Sequence, residues 1–397
     1  MLQDKNLIVF SDDWGRHPFS CQHLMQHFLK AGSRILWVNT IGLRTPRLTP
    51  YDIKRSLQKI TSWLRPKKQQ TPLSLPPNLR VIAPVMLPFN NISPVRAFNR
   101  SSVVKAVQQA ITEWSKESRE ATTWRPEAPI IVATVPNAAD YLGLLNECLA
   151  VYYCVDDFTL WPGMNQPEMV RGMEEELLRK ADLIVATSSS LQQSRTRGNT
   201  VPKILTHGVD IDHFSKIPAT RPPQMEKLGK PIVGFYGLVD LRLDANLVRA
   251  LLQQHPDWKF VFIGNSLISL DDLNAYPNFH HVPAVDYHYL PDYASCFDVA
   301  ILPYKVNEQT TNINPLKLRE YIATGKAVVS TPLPESVALE PAVSIAADAA
   351  SFAKAIEKAL QNDLSPEKRR TALTGATWAD KAHLLSDWIT LALKEKS

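Results

Sequence analysis

Cysteine is scarce in this chain. Cys21, Cys148, Cys154 and Cys296 are the four present in 397 residues, and no two of them form a C-x-x-C pair. That argues against a disulfide framework and against a cysteine zinc site. Free thiols in a reducing compartment are the expectation. Long apolar runs are also missing, since none approaches the ~20 residues needed to cross a bilayer. The opening residues Met1-Leu2-Gln3-Asp4-Lys5-Asn6 lack the basic and apolar regions of a secretory leader. The expected place is therefore the cytoplasm, free or peripheral at the inner face of the membrane. Dense lysine and arginine tracts are absent, and the net charge is only +5. A nucleic-acid partner is excluded on that ground. No G-x-G-x-x-G follows the first apolar run, so the dinucleotide fingerprint is absent too. No internal repeat or low-complexity tract is evident.

What remains is an α/β alternation long enough for two domains. Hydrophobic residues make up 45% and charged residues 21%, an ordinary globular balance. Leu7–Phe10 reads as a strand, Ser20–Ala31 as a helix and Arg34–Val38 as a second strand. This is the start of a doubly wound parallel sheet. Ligands of such sheets bind beyond the carboxyl ends of the strands. The loop after the first strand, with Asp13, Trp14, Arg16 and His17, is thus a site candidate, unless these residues cap the next helix or pair locally. Further strands are expected at Leu79–Val85, Ile130–Val135 and Val151–Val155, with helices over 94–118 and Asn137–Asn146. Asp156 and Asp157 follow the third of these strands. They could take a proton from an acceptor hydroxyl or cap the next element. Ile53, Leu57, Ile60 and Leu64 recur at helical spacing among basic residues over 53–68. Such a helix either lies in a membrane interface or packs on its own domain.

The rest of the chain is best understood around residues 299–334. Val299–Pro303 reads as a buried strand, Asn314-Pro315 as an N-cap with proline at the first helical position, and Gly325 as the helix stop. A buried strand, Ala327–Ser330, follows. Asn314, Lys317, Glu320 and Tyr321 lie three or four residues apart, on one face. The helix N-terminus and a lysine suit a diphosphate, and the glutamate suits sugar hydroxyls. An ordinary surface helix with a local ion pair would show the same spacing. Ile232–Gly237 is a strand leading into a loop with Asp240 and Arg242. Arg242 could meet a diphosphate in bidentate fashion or pair with Asp240.

The stretch Asn314-Pro315-Leu316-Lys317-Leu318-Arg319-Glu320-Tyr321, with Gly325-Lys326-Ala327-Val328-Val329-Ser330-Thr331, resembles the donor-binding region of GT-B glycosyltransferases of family 4. It is nearest the bacterial subgroup of teichuronic acid, capsule and exopolysaccharide synthesis. Ala181–Ser188, Gly208-Val209-Asp210 with Phe214, and the loop 237–244 resemble further segments of that group. The family carries two glutamates separated by seven residues. The second matches Glu320, and the first falls on Asn312.

The resemblance implies an α/β GT-B fold, two facing Rossmann-like domains with parallel sheets and a cleft between them. The expected bounds are an acceptor-side domain 1–213 completed by a C-terminal helix 377–397, a linker 214–231 and a nucleotide-sugar domain 232–376. It implies transfer of a sugar from a UDP- or GDP-type donor to a glycan or lipid-linked acceptor in cell-surface polysaccharide synthesis. The expected hexosyltransferase retains configuration and needs neither metal nor cofactor, the nucleotide-sugar being a substrate. Donor contacts would fall on Gly237, Arg242, Asn312, Asn314, Lys317 and Glu320. Asp13, Asp156 and Asp157 would be the catalytic carboxylates, with Trp14, Arg16 and His17 on the acceptor side. A sugar-nucleotide epimerase of the same fold, or a non-catalytic glycan-binding partner, are the alternatives.

Overall fold

The structure, a computed structural model, describes residues 1–15, 19–41, 43, 75–117, 123–218, 220–361 and 364–396. The basic amphipathic stretch 53–68, Arg16 and His17 lie outside the described residues. The chain divides into two compact units, Met1–Leu205 with Ala382–Ser397, and Thr206–Lys381.

The first unit holds a seven-stranded sheet. Its strands are β1 (Asn6–Ser11), β2 (Arg34–Asn39), β3 (Leu79–Ile82), β4 (Ile130–Ala133), β5 (Leu149–Cys154), β6 (Leu183–Ala186) and β7 (Lys203–Ile204), in the order β3-β2-β1-β4-β5-β6-β7. Every described pairing is parallel. Parallel strands with both faces covered must be apolar throughout rather than alternating. All six residues of β1 and of β5 are buried, with Leu7–Phe10 forming the apolar centre of β1 between the polar ends Asn6 and Ser11. β3 is shorter than expected, because Pro84 has no N–H to extend a ladder. The expected helix over Asn137–Asn146 is instead a single 3₁₀ turn, Pro136–Asp140. Gly143 and Asn146 take left-handed backbone, with φ of 87° and 52°, and that conformation breaks a right-handed helix.

The second unit holds β8 (Ile232–Tyr236), β9 (Lys259–Ile263), β10 (Phe279–Val282), β11 (Val299–Leu302), β12 (Ala327–Ser330) and β13 (Val343–Ile345). Their order is β10-β9-β8-β11-β12-β13, again parallel. Segment 214–231 belongs to this unit, with Phe214 and Met225 buried in its core. The last helix, Trp378–Lys396, begins in the second unit and from Ala382 onward belongs to the first. Strand order in the second sheet reverses at β8, from which the chain goes out to β9 and later returns to β11 on the other side. That switch point is where an open α/β sheet offers a crevice at its carboxyl edge.

Cys21, Cys148, Cys154 and Cys296 are all free thiols, and Cys148 alone among them is not buried. No helix among the described residues is long and apolar enough to cross a membrane.

Candidate functional site

The carboxyl edge of β8 and β11 brings together the residues expected to meet a donor. Gly237 follows β8 directly with φ of 120°, a conformation that disfavours any side chain. A Cβ there would also sit 2.2 Å from Lys317 Cε. The absence of a side chain is what lets Lys317 lie across the end of the strand. Its ammonium donates to the Tyr304 hydroxyl at 2.7 Å and stands 5.0 Å from the Phe235 ring centroid. Lys317 forms no ion pair with a carboxylate among the described residues, so its charge is available to an anion.

Arg242 also stands over Tyr304, its guanidinium carbon 5.4 Å from the ring centroid. Its Nε and Nη2 donate to both oxygens of Asp240 at 2.7–3.1 Å. Asp240 is buried, so the pair fixes the orientation of the guanidinium. Tyr304 is thus shared by the two cations. It follows β11 by two residues, and a lone buried tyrosine in an apolar run carries no signal of that role in the sequence.

The helix Leu316–Thr324 begins at this edge and ends at Gly325, which takes the left-handed conformation of a C-cap. Its first N–H groups and the positive end of its dipole lie beside Lys317. The expected N-cap is corrected: Pro315 occupies that position and makes no side-chain cap. Asn314 is buried and turned into the protein. Its amide donates to Glu335 at 2.6 Å, and its oxygen accepts from Arg319 at 2.6 Å. The side chain that would cap in isolation serves here to bridge Arg319 and Glu335, whose charged groups stand 4.0 Å apart. Asn312 ends the short helix Glu308–Asn312 and is partly exposed.

Glu320 stands one turn after Lys317. Its Oε2 accepts from the Tyr236 hydroxyl at 2.8 Å. Burial pushes the Glu320 carboxyl up to about 7, against the opposing pull of the Tyr236 hydrogen bond and the Lys317 charge. Burial and the adjacent Glu320 push the Tyr236 hydroxyl well up, so it remains a donor. Tyr321, expected on the same face, is wholly buried and accepts the Tyr236 backbone N–H at 3.0 Å.

In the first unit, β1 and β5 carry the other candidates at the carboxyl edge. Asp13 is exposed and Trp14 half-buried. The Trp14 ring meets that of Trp37 edge-on at 4.9 Å, and its backbone N–H donates to Asn39. With β4 between them, β1 and β5 stand about 10 Å apart in the sheet, at ~4.8 Å per strand, and Asp13 and Asp156 lie in the loops that follow them.

The aspartate pair after β5 divides into two roles. Asp157 is buried, and its Oδ1 caps the turn Phe158–Leu160 by accepting from the Thr159 N–H at 3.0 Å. Its Oδ2 accepts from Arg195 at 2.9 Å. Burial alone would raise this carboxyl, but the hydrogen bonds from Arg195 and Thr159 outweigh it and hold the group below the usual range. Arg195 also makes two bonds to Glu174, whose carboxylate accepts from the Tyr152 hydroxyl. Asp157 is therefore committed to a buried ion network. Asp156 is half-buried at the rim, accepting from the Trp161 indole at 2.7 Å and from the Asp157 N–H at 2.8 Å. Arg195 and Glu174 are 21 residues apart, so sequence reasoning had no local cue to this network. No cluster of three or more His, Cys, Asp or Glu among the described residues is placed to hold a metal.

Residues 238–362 match the family described as glycosyl transferases group 1. Over 179 residues the chain is 28% identical to TuaH of Bacillus subtilis (strain 168), named as a teichuronic acid biosynthesis glycosyltransferase. That match covers 43% of this chain and 45% of the relative, so the chain spans less than half the length of the curated relative it matches. Among solved structures, Anabaena HepE in complex with UDP is similar at a TM-score of 0.62 and 15% identity, over 98% of this chain and 100% of that one. Sucrose-phosphate synthase from Thermosynechococcus elongatus is similar at 0.61 and 16%, over 98% and 97%. The family match thus lies within the second unit, and the chain has the GT-B fold. Arg242, Asn312, Asn314, Lys317 and Glu320 fall inside the matched region, and Gly237 stands one residue before it.

Proposed function

We propose that this chain transfers a sugar from a nucleotide-sugar to a glycan or lipid-linked acceptor in cell-surface polysaccharide synthesis. The observation that carries the reading is the Lys317–Tyr304–Arg242 arrangement at a helix N-terminus. It gathers positive charge where a departing nucleoside diphosphate would develop negative charge. Glu320, one turn along, would accept hydrogen bonds from donor hydroxyls. The UDP complex of Anabaena HepE supports a uridine diphosphate leaving group. The kinship with TuaH supports a surface polysaccharide as product.

Of the carboxylates in the first unit, we assign Asp156 to the acceptor hydroxyl, because Asp157 is held by Arg195. Asp13 and Trp14 would line the acceptor side. Retention of configuration is the stereochemistry that the family resemblance implies. Lys317, Arg242 and the helix N-terminus supply the charge that a metal provides elsewhere, so we infer activity without one. A peripheral position at the inner membrane face fits a lipid-linked acceptor.

The test is calorimetry with a panel of nucleotide-sugars on the wild type and on Lys317→Ala. One donor should bind, and the variant should weaken it tenfold or more. Binding that Lys317→Ala leaves unchanged would refute the donor site. Turnover of the bound donor that depends strictly on an acceptor separates a transferase from an epimerase. Tight binding without turnover under any acceptor would mark a non-catalytic partner.

A further inference from the structure

The second unit has a cavity of about 910 Å³ at the other end of its sheet. Its walls come from the residues that precede β8, β11 and β12, namely Lys230-Pro231, Asp298 and Lys326, together with residues 214–218, Arg221, Arg369 and Arg370. The donor candidates lie at the carboxyl ends of β8 and β11. The nine residues of the helix Leu316–Thr324 separate the two places, a length of roughly 14 Å at 1.5 Å per residue.

The lining is strongly cationic. Among the described residues, Lys216, Arg221, Lys230, Lys326, Arg369 and Arg370 face two acids, Asp298 and Glu367. Three of these cations are engaged. Lys230 pairs with Asp298 at 2.6 Å. Arg369 donates to the carbonyl of Gly325, and Arg370 to those of Ala323 and Thr324. These two arginines answer the negative end of the helix dipole. Lys216, Arg221 and Lys326 form no ion pair among the described residues. Lys326 is the informative one, because it is half-buried in the cavity and still lacks a carboxylate partner. Burial and the charges of Lys230 and Arg221 lower its pKa, with Asp298 opposing. A lysine in that position is under-neutralised by its own protein, and an anion would complete it.

We propose that this cavity binds a phosphate-bearing small molecule, with Lys326, Arg221 and Lys216 meeting the phosphate. The size favours a small ligand over a peptide, because pockets for such ligands span about 300–1,000 Å³. The excess of positive charge selects an anion. The cavity lining includes Thr324 and Gly325 at the carboxyl end of the helix whose first turn carries Lys317, with Arg369 and Arg370 covering its carbonyls, so the site is distinct from the donor site but shares an element with it.

Inorganic pyrophosphate, titrated calorimetrically into the full chain carrying Lys317→Ala, tests the idea with the donor site disabled. The expected result is retained binding that falls tenfold or more when Lys326→Met and Arg221→Gln are added. If that combination fails to fold, Lys216→Glu with Arg221→Glu changes only exposed side chains and should give the same loss. Absence of binding in the Lys317→Ala background would overturn the proposal, as would binding that none of the cavity variants weakens. Vesicles containing phosphatidic acid identify the source of the phosphate. Sedimentation with vesicles that pyrophosphate displaces and the cavity variants abolish would mark a lipid headgroup as the occupant. Pyrophosphate binding without vesicle sedimentation would mark a free solute.

Discussion

Glu320→Gln should change the pH dependence of stability in a way that few other substitutions can. The wild-type carboxyl is pushed to about 7 by burial, against an ordinary 4.5. The native state therefore holds a proton between these values that the unfolded chain has already released. Stability falls as pH rises through that window, because the folded form binds more protons. Below about 4.5 both states are protonated and no cost appears; above about 7 the cost is complete and constant. A difference of about 2.5 pKa units corresponds to about 3 kcal/mol at 1.36 kcal/mol per unit. Partial exposure of the side chain lowers this, and ~1–3 kcal/mol is the working range. Glutamine keeps an oxygen for the Tyr236 hydroxyl and cannot ionise. The variant should match the wild type near pH 4 and exceed it by that amount at pH 8. Urea unfolding of both proteins at half-unit pH steps gives the answer, since the difference between the two curves isolates this one group. A difference that stays flat from pH 5 to 8 would refute the burial argument. The same variant should bind the nucleotide-sugar more weakly at pH 8, where the wild-type group is an ionised acceptor.

Three further outcomes are expected. Arg195→Met leaves Asp157 and Glu174 buried without their cation and should cost about 3–5 kcal/mol in urea unfolding, with the deficit shrinking below pH 4 as Asp157 becomes protonated. Asp156→Asn should lower turnover while leaving the melting temperature within a degree or two, whereas Asp157→Asn should lower the melting temperature by several degrees; the reverse pattern would exchange their roles. Gly237→Ala places a Cβ against Lys317 in a backbone that alanine resists, and calorimetry should show nucleotide-sugar affinity reduced tenfold or more.

Much of this architecture could be read from the chain alone because parallel strands buried on both faces leave an unambiguous trace. Val299–Leu302, Ala327–Ser330 and Val151–Cys154 are runs of apolar residues too short for helices and bounded by polar loops. β13 gives a weaker trace, three residues with a serine at its centre on the sheet edge, and no strand is expected there. Asn314 shows the limit of local rules. Capping preference describes a helix in isolation, and the buried Arg319–Asn314–Glu335 contacts depend on a residue 21 positions away. Lys317 and Glu320 could be placed on one helix face from their spacing, and the structure sets them one turn apart beside Tyr304 and Tyr236. Tyr304 was not, because its role comes from two cations that reach it from separate segments.

Tyr236 fastens the strand to the helix twice, giving its backbone N–H to Tyr321 and its hydroxyl to Glu320. Tyr304 holds Lys317 once, its hydroxyl accepting from the ammonium. Both polar groups are thus immobilised before any ligand arrives. A flexible side chain that must be ordered on binding costs about 0.5–1.5 kcal/mol of affinity. Here that entropy is already lost during folding. A donor docking on these two residues would keep nearly all of the contact energy it gains, and specificity could then rest on small differences between sugars.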